Sequence, residues 1–202
     1  MYTPAAFTVA GKDWALELIQ RYPFGLLISV GEDYPQSSHL PMLAIQRDDA
    51  LYVVGHVARA NPHAEAILAQ ARATAIFSGP HAFVSANWYE EPYATVPTWN
   101  YTAVHASGRL QRCDAKDALK LLTTRFEGRG PGAWRLEGLE EAYLEKQLRG
   151  IVAFELRLER LEAKAKLSQN RTDADRARVI AALSRSDDPV DRDCAQAMQN
   201  VS

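Results

Sequence analysis

The residues best suited to chemistry in this chain stand in one short stretch, Gly55-His56-Val57-Ala58-Arg59-Ala60-Asn61-Pro62-His63. Asn61 is a strong helix-capping type and Pro62 suits a first helical position, so a helix is expected to begin there. A helix start carries unsatisfied N–H groups and about half a positive charge, which favours an anion and phosphate above all. Arg59, two residues before the cap, adds a guanidinium that can grip two oxygens at once. His56, ending an apolar strand-like run, adds another donor. Together they predict a phosphate pocket. The same residues also make an ordinary capped strand–turn–helix with a surface arginine and a structural histidine, and spacing alone does not separate the two.

Other candidates are less pointed. Lys166, Ser168, Gln169, Asn170 and Arg171 crowd five polar side chains into six positions, which usually means a solvated loop. Strand alternation sets Trp99, Tyr101 and Ala103 on one face and Asn100, Thr102 and Val104 on the other. A Trp–Tyr face more often belongs to a core or a subunit interface than to a cofactor. Ser78 and Gly79 end an apolar run, and Gly79-Pro80 is a turn signal; small residues there would let backbone come close to a ligand. The chain contains no GxxxxGK[ST], no GxGxxG after a strand, no HExxH and no GxSxG. His39, His56, His63, His81 and His105 show no metal-ligand spacing, so no metal site is expected. Cys113 and Cys194 have no CxxC neighbour and read as free, reduced thiols.

Composition sets the frame for these residues. The chain has 202 residues, 47% apolar and 24% charged, ordinary for a globular protein that folds without staples. Its longest clean apolar run, around Phe24-Gly25-Leu26-Leu27-Ile28-Ser29-Val30, is far short of the ~20 residues a membrane helix needs. No basic segment followed by an apolar one opens the chain, so a cytoplasmic protein is expected. The net charge of −2 and pI of about 6.2 advertise no nucleic-acid face.

The elements that must position the candidates follow from periodicity. A helix is predicted over residues 11–21, ended by Pro23. Strands are predicted for FGLLISV, SSHLPMLAI and LYVVGH, joined by turns. A helix from Pro62 to about Ala71 follows. ATAIFSG and AFVSANWY read as two strands broken at Gly79-Pro80-His81, and TWNYTAVHASGRLQR as one long strand. Asp114 is expected to cap a helix through DAKDALKLLTTRFEG, with GLEEAYLEKQLR a further helix. GIVAFELRLERLEAKAKL gives one or two closing strands. From Asp173 the tail divides into two short helices at Asp188-Pro189. Hairpins without βαβ alternation predict an α+β fold on an antiparallel barrel.

Taken in order, YPFGLLIS, SSHLPML, GHVARANPH, FSGPHAFVSANWY, VPTWNYTAVHASGRL, LRGIVAFEL and KLSQNR resemble the PaiB-like FMN-binding negative transcriptional regulators over about residues 1–185. That family is similar to the FMN-binding split barrels, which include pyridoxamine phosphate oxidase and flavin reductases. The resemblance implies an antiparallel split β-barrel with peripheral helices, filling residues 1–170. A helical extension over 171–202 would pack on the same domain. It implies FMN as cofactor and a homodimer with FMN at the interface, lined by both chains. Arg59, Asn61 and the helix at Pro62 would hold the phosphate with His56 beside it. Ser38, His39, Leu40 and Pro41 would run along the ring or ribityl chain. Ser78, Gly79, Trp99 and Tyr101 would lie near the flavin, with Lys166, Gln169 and Asn170 as further contacts.

No arrangement here resembles the substrate-phosphate residues of pyridoxamine phosphate oxidase, a departure that counts against that oxidase activity; the resemblance implies a flavin-dependent oxidoreductase of unknown substrate. The alternative is a transcriptional regulator, acting by direct DNA binding or as a flavin- or haem-sensing repressor. Charge argues against DNA: the second tail helix leads with Asp188, Asp191 and Asp193 against Arg192, a poor major-groove reader. A packed helical hairpin is the expected structure of the tail.

Overall fold

Apolar–polar alternation organises most of the chain into long antiparallel strands. The computed structural model describes residues 1–9 and 11–201. Its helices are α1 (Lys12–Arg21), α2 (His63–Leu68), α3 (Ala115–Glu127), α4 (Glu141–Arg149), α5 (Asp173–Ser184) and α6 (Pro189–Gln199). Its strands are β1 (Phe24–Ser29), β2 (Gln36–Pro41), β3 (Leu43–Arg47), β4 (Ala50–Ala58), β5 (Arg72–Val84), β6 (Thr98–Arg112) and β7 (Ile151–Lys166). They hydrogen-bond in the order β2-β1-β5-β6-β7-β4-β3, and the registered pairs of β1 with β2 and β5, and of β4 with β3 and β7, are antiparallel.

The chain divides into two compact units, one of Met1–Leu18, Ser78–Val104 and Glu162–Ser202, the other of Ile19–Phe77 and His105–Leu161. In the first, Val84, Leu167, Val179, Leu183, Cys194 and Met198 form a core with Trp14 and Trp88 packed against it. The tail helices therefore spend their apolar faces inside that core, as a packed hairpin. Thr172 and Asp188 cap them by accepting from the backbone N–H of Asp175 and Val190. In the second unit Leu27, Met42, Phe77, Phe154 and Leu156 are fully buried. No helix among the described residues is long and apolar enough to cross a membrane.

Several sequence expectations are met with little change. Asp114 caps α3 by accepting from Asp117 N, at 2.9 Å. On β6, Asn100, Thr102 and Val104 are buried while Trp99 is exposed, so the polar amide and hydroxyl, not the Trp–Tyr face, point into the core.

Three expectations are corrected. SSHLPMLAI is two strands, not one: β2 pairs with β1 and β3 with β4, and the chain turns between them at Met42. Pro41 has no N–H to continue a ladder, and Met42, wholly buried, donates its N–H to Pro23 O at 2.8 Å. Gly79-Pro80 makes no turn, because β5 runs straight through it as one strand of 13 residues. The registered pairing of β1 with β5 ends at Ile76, so the missing N–H of Pro80 costs that ladder nothing. Lastly, α2 stops at Leu68 rather than near Ala71, where Gln70 takes a left-handed φ of 53° and turns the chain into β5.

Both thiols are inert by environment. Burial pushes Cys113 up to about 12, with the charges of Glu155 and Asp114 adding to it. Burial and then Asp191 push Cys194 up to about 12. Native protein at about pH 8 is expected to react with neither thiol on the minute scale, while unfolded protein yields both. Rapid titration of one thiol in the native state would contradict this.

Candidate functional site

The β4–α2 turn and β2 come together in the second unit. Asn61 Oδ1 accepts from His63 N at 2.9 Å, which fixes the start of α2 and the orientation of its own amide. Its Nδ2 then donates to Ser38 Oγ at 3.1 Å, and Ser38 Oγ lies 2.7 Å from His63 Nδ1. Ser38 Oγ also lies 3.5 Å from Asn61 Oδ1, so its hydroxyl proton has two acceptors in reach, and the tautomer of His63 sets whether the second ring nitrogen, Nε2, is a donor or an acceptor. That nitrogen is buried and has no hydrogen-bond partner. The chain Asn61–Ser38–His63 thus ends in a desolvated ring nitrogen without a partner, which costs stability unless a ligand supplies one. His56 on β4 leaves Nδ1 in the same condition.

Arg59 is more engaged than its place in the sequence suggests. Nε donates to Arg149 O at 2.7 Å and Nη2 to Ile151 O at 3.0 Å, while its own N–H reaches Gly150 O at 2.8 Å. It straps the turn to the start of β7. Nη1 takes no part in these bonds, and Arg59 is among the residues lining a cleft of about 440 Å³, with Arg112, Cys113, Lys116, Glu141 and Arg149. His39, exposed on β2, stacks on Phe24 with centroids 6.2 Å apart. Leu40 and Pro41 are half-buried beside it. Because β2 ends the sheet order, one side of its backbone is free to hydrogen-bond a ligand.

The remaining candidates lie in or at the edge of the first unit. Ser78 is exposed and Gly79 buried on β5. Trp99 meets Phe83 edge-on at 6.0 Å and His81 at 6.3 Å. Tyr101 lies under Lys164 Nζ at 5.0 Å. Lys166 Nζ donates to Thr98 Oγ1 at 2.6 Å and to Trp99 O at 2.5 Å. Gln169 spends both ends of its amide on backbone, accepting from Leu167 N and donating to Ala165 O. Asn170 is exposed.

Sequence reasoning missed His63 as part of this group. It closes the motif that drew attention, but only the pairing of β2 with β1 brings Ser38 up to it from 25 positions away.

Burial lowers the pKa of His56 and His63 from 6.5. Below about 6.5 the unfolded chain binds protons that the folded chain refuses, so folding stability falls as pH falls. The melting temperature is expected to decline as pH drops through 6.5 toward 5, and less so in a His56→Asn/His63→Asn double variant. An equal decline in both proteins would assign the effect elsewhere.

Comparison with known proteins adds the family. A family model described as "Putative FMN-binding domain" matches residues 1–160. The protease synthase and sporulation protein PAI 2 of Bacillus subtilis is 32% identical, over 99% of this chain and 97% of that protein. An uncharacterized protein of Aspergillus fumigatus is 29% identical, over 81% of this chain and 83% of its own. Among solved structures, the FAD and heme binding protein of Mycobacterium smegmatis superposes with a TM-score of 0.62 at 18% identity. That match covers 84% of this chain and 78% of the other. The flavocytochrome Anf3 of Azotobacter vinelandii gives 0.54 at 19% identity, covering 82% and 72%.

Proposed function

The chain belongs to the PaiB-like FMN-binding family of split barrels, with FMN as its cofactor, and from that premise we propose where FMN is held. The phosphate lies at the β4–α2 turn, between Nη1 of Arg59 and Nε2 of His63, with His56 beside it. The ribityl chain and ring then run along β2, over Ser38, His39, Leu40 and Pro41, using the free backbone edge of that strand. The observation that carries this reading is the buried, unpartnered Nε2 of His63, whose ring is held by Ser38 and Asn61. Arg59 and Asn61 act chiefly by holding the turn in shape, and only part of the guanidinium is left for the ligand.

Bound FMN supplies electron and hydride exchange; the chain supplies grip, orientation and exclusion of water. We propose a flavin-dependent oxidoreductase acting as a homodimer, on the strength of the family resemblance, with exposed Phe83 and Trp99, which meet edge-on, among the surface a partner subunit would cover. Ser78, Gly79, Trp99, Tyr101, Lys166, Gln169 and Asn170 remain proposed flavin contacts on the strength of the family resemblance.

Parallel titrations with FMN and riboflavin test the phosphate assignment. FMN is expected to bind at least about tenfold more tightly, the worth of one charge-assisted contact. Equal affinities would remove the phosphate from the turn.

A further inference from the structure

The first unit holds a second cluster of donors, apart from the β4–α2 turn, of which the flavin reading takes Lys166 and Asn170 on family resemblance alone. Thr98, Asn100, Lys166, Ser168, Asn170 and Arg171 are among the residues lining a cavity of about 160 Å³. Asn100 and Ser168 are buried and face each other, with Asn100 Nδ2 3.0 Å from Ser168 Oγ. Ser168 holds a φ of 65°, a left-handed conformation that a non-glycine residue adopts at a cost. The two Gln169 contacts to the end of β7 keep the bend in place.

The charges here do not balance. Lys166 uses two of its three N–H groups on Thr98 and Trp99. Arg171 lies 4.5 Å over the Tyr89 ring and donates to Thr95 Oγ1 at 2.8 Å. Lys164, nearly buried, donates to Tyr2 O at 3.0 Å. Among the described residues none of these three cations is paired with a carboxylate. Glu90 and Asp175, which line the adjoining cleft with Arg171, are paired with Arg178 instead. Burial and then the charges of Lys164 and Arg171 lower the pKa of Lys166, which is the signature of a repulsive cationic cluster. Desolvated charge without a partner is costly, and an anion relieves it.

We propose that the first unit carries an oxyanion subsite of its own, in which Lys166, Arg171 and Asn170 take one phosphate group beside the Asn100–Ser168 pair, whose hydrogen bonds to each other and to Met198 Sδ shape the cavity. Two cations without a carboxylate partner at one cavity suit a dianion, and the donors come from β7 and the segment after it. Pockets for drug-sized ligands run to roughly 300–1,000 Å³, so a cavity of about 160 Å³ suits a phosphate group better than a whole flavin. The phosphate is either that of a small phosphorylated molecule or the 5′-phosphate of FMN. The subsite does not rest on the placement of FMN at the β4–α2 turn.

Isothermal titration of the full chain with inorganic phosphate, against chloride at matched ionic strength, tests the subsite. Wild-type protein is expected to bind phosphate saturably and to melt at a higher temperature than in chloride. Arg171→Met is expected to weaken phosphate ~tenfold or more. Lys166 also joins two backbone segments, so its removal risks the fold. Asn170→Asp serves instead, placing a carboxylate at an exposed position on the cavity, and is expected to lose phosphate to a similar degree. Absence of saturable binding in the wild type, or binding that survives in both variants, overturns the proposal. Where phosphate displaces FMN but not riboflavin, and Arg171→Met weakens FMN, the subsite takes the flavin's own phosphate. Where phosphate and FMN bind together, it takes a separate phosphorylated ligand. Arg59→Ala removes any phosphate bound at the β4–α2 turn, and the subsite is the saturable binding that remains in that variant and is lost with Arg171→Met, so the two sites fail independently.

Discussion

Replacing Arg59 with Ala is expected to weaken FMN binding tenfold to a hundredfold, about 1.5–3 kcal/mol, the range for a hydrogen bond to a charged group. Two effects add. One is loss of the direct contact from Nη1. The other is release of the strap that ties the β4–α2 turn to Arg149 O and Ile151 O. They separate by comparing FMN with riboflavin. The direct contact disappears only for the phosphorylated flavin, whereas a slack turn weakens both. Arg59→Lys keeps a charge but cannot reproduce the two-carbonyl fork, so it is expected to recover only part of the affinity. Wild-type FMN affinity in Arg59→Ala would place the phosphate elsewhere.

Gly108→Ala is expected to destabilise the protein by about 3 kcal/mol or more, the upper end of what overpacking costs. A methyl group built on Gly108 would stand 1.9 Å from Arg157 O, 2.7 Å from its carbonyl carbon and 3.0 Å from Leu158 Cα. All three are backbone atoms of β7, which also pairs with β4 and has no flexible end to move aside. For a chain of this size each kcal/mol is worth about 2–4 °C, so the melting temperature should fall by about 6–12 °C. Gly130→Ala is the matched control, since nothing lies within 4 Å of its added methyl. Equal melting temperatures for the two variants would show that β6 and β7 can separate there at little cost.

Local chemistry made some of this legible before any coordinates. The alternation along β6 placed Asn100, Thr102 and Val104 on one side, and the Asp114 cap fixed the start of α3. Pro and Gly misled where pairing rather than propensity decides. Gly79-Pro80 looks like a turn, but β5 has already left its registered ladder with β1 when it reaches Pro80. Pro41-Met42 looks like strand interior, but there the chain changes partner from β1 to β4. The turn around Arg59 and Asn61 was recognisable from residue types. Its third member, His63, becomes significant only when Ser38 arrives from another strand. KLSQNR reads as a solvated loop because five of its six residues are polar, yet Leu167 and Ser168 are buried. Tertiary contacts of that kind leave no local trace, and the close approach at Gly108 leaves only an unexplained glycine within a strand.

The most direct test of the central claim is a fluorescence titration of purified, flavin-free protein with FMN, read by quenching of the flavin emission. The account predicts saturable quenching at micromolar FMN, with a plateau set by the protein concentration. A linear signal with no saturation up to hundreds of micromolar would contradict it.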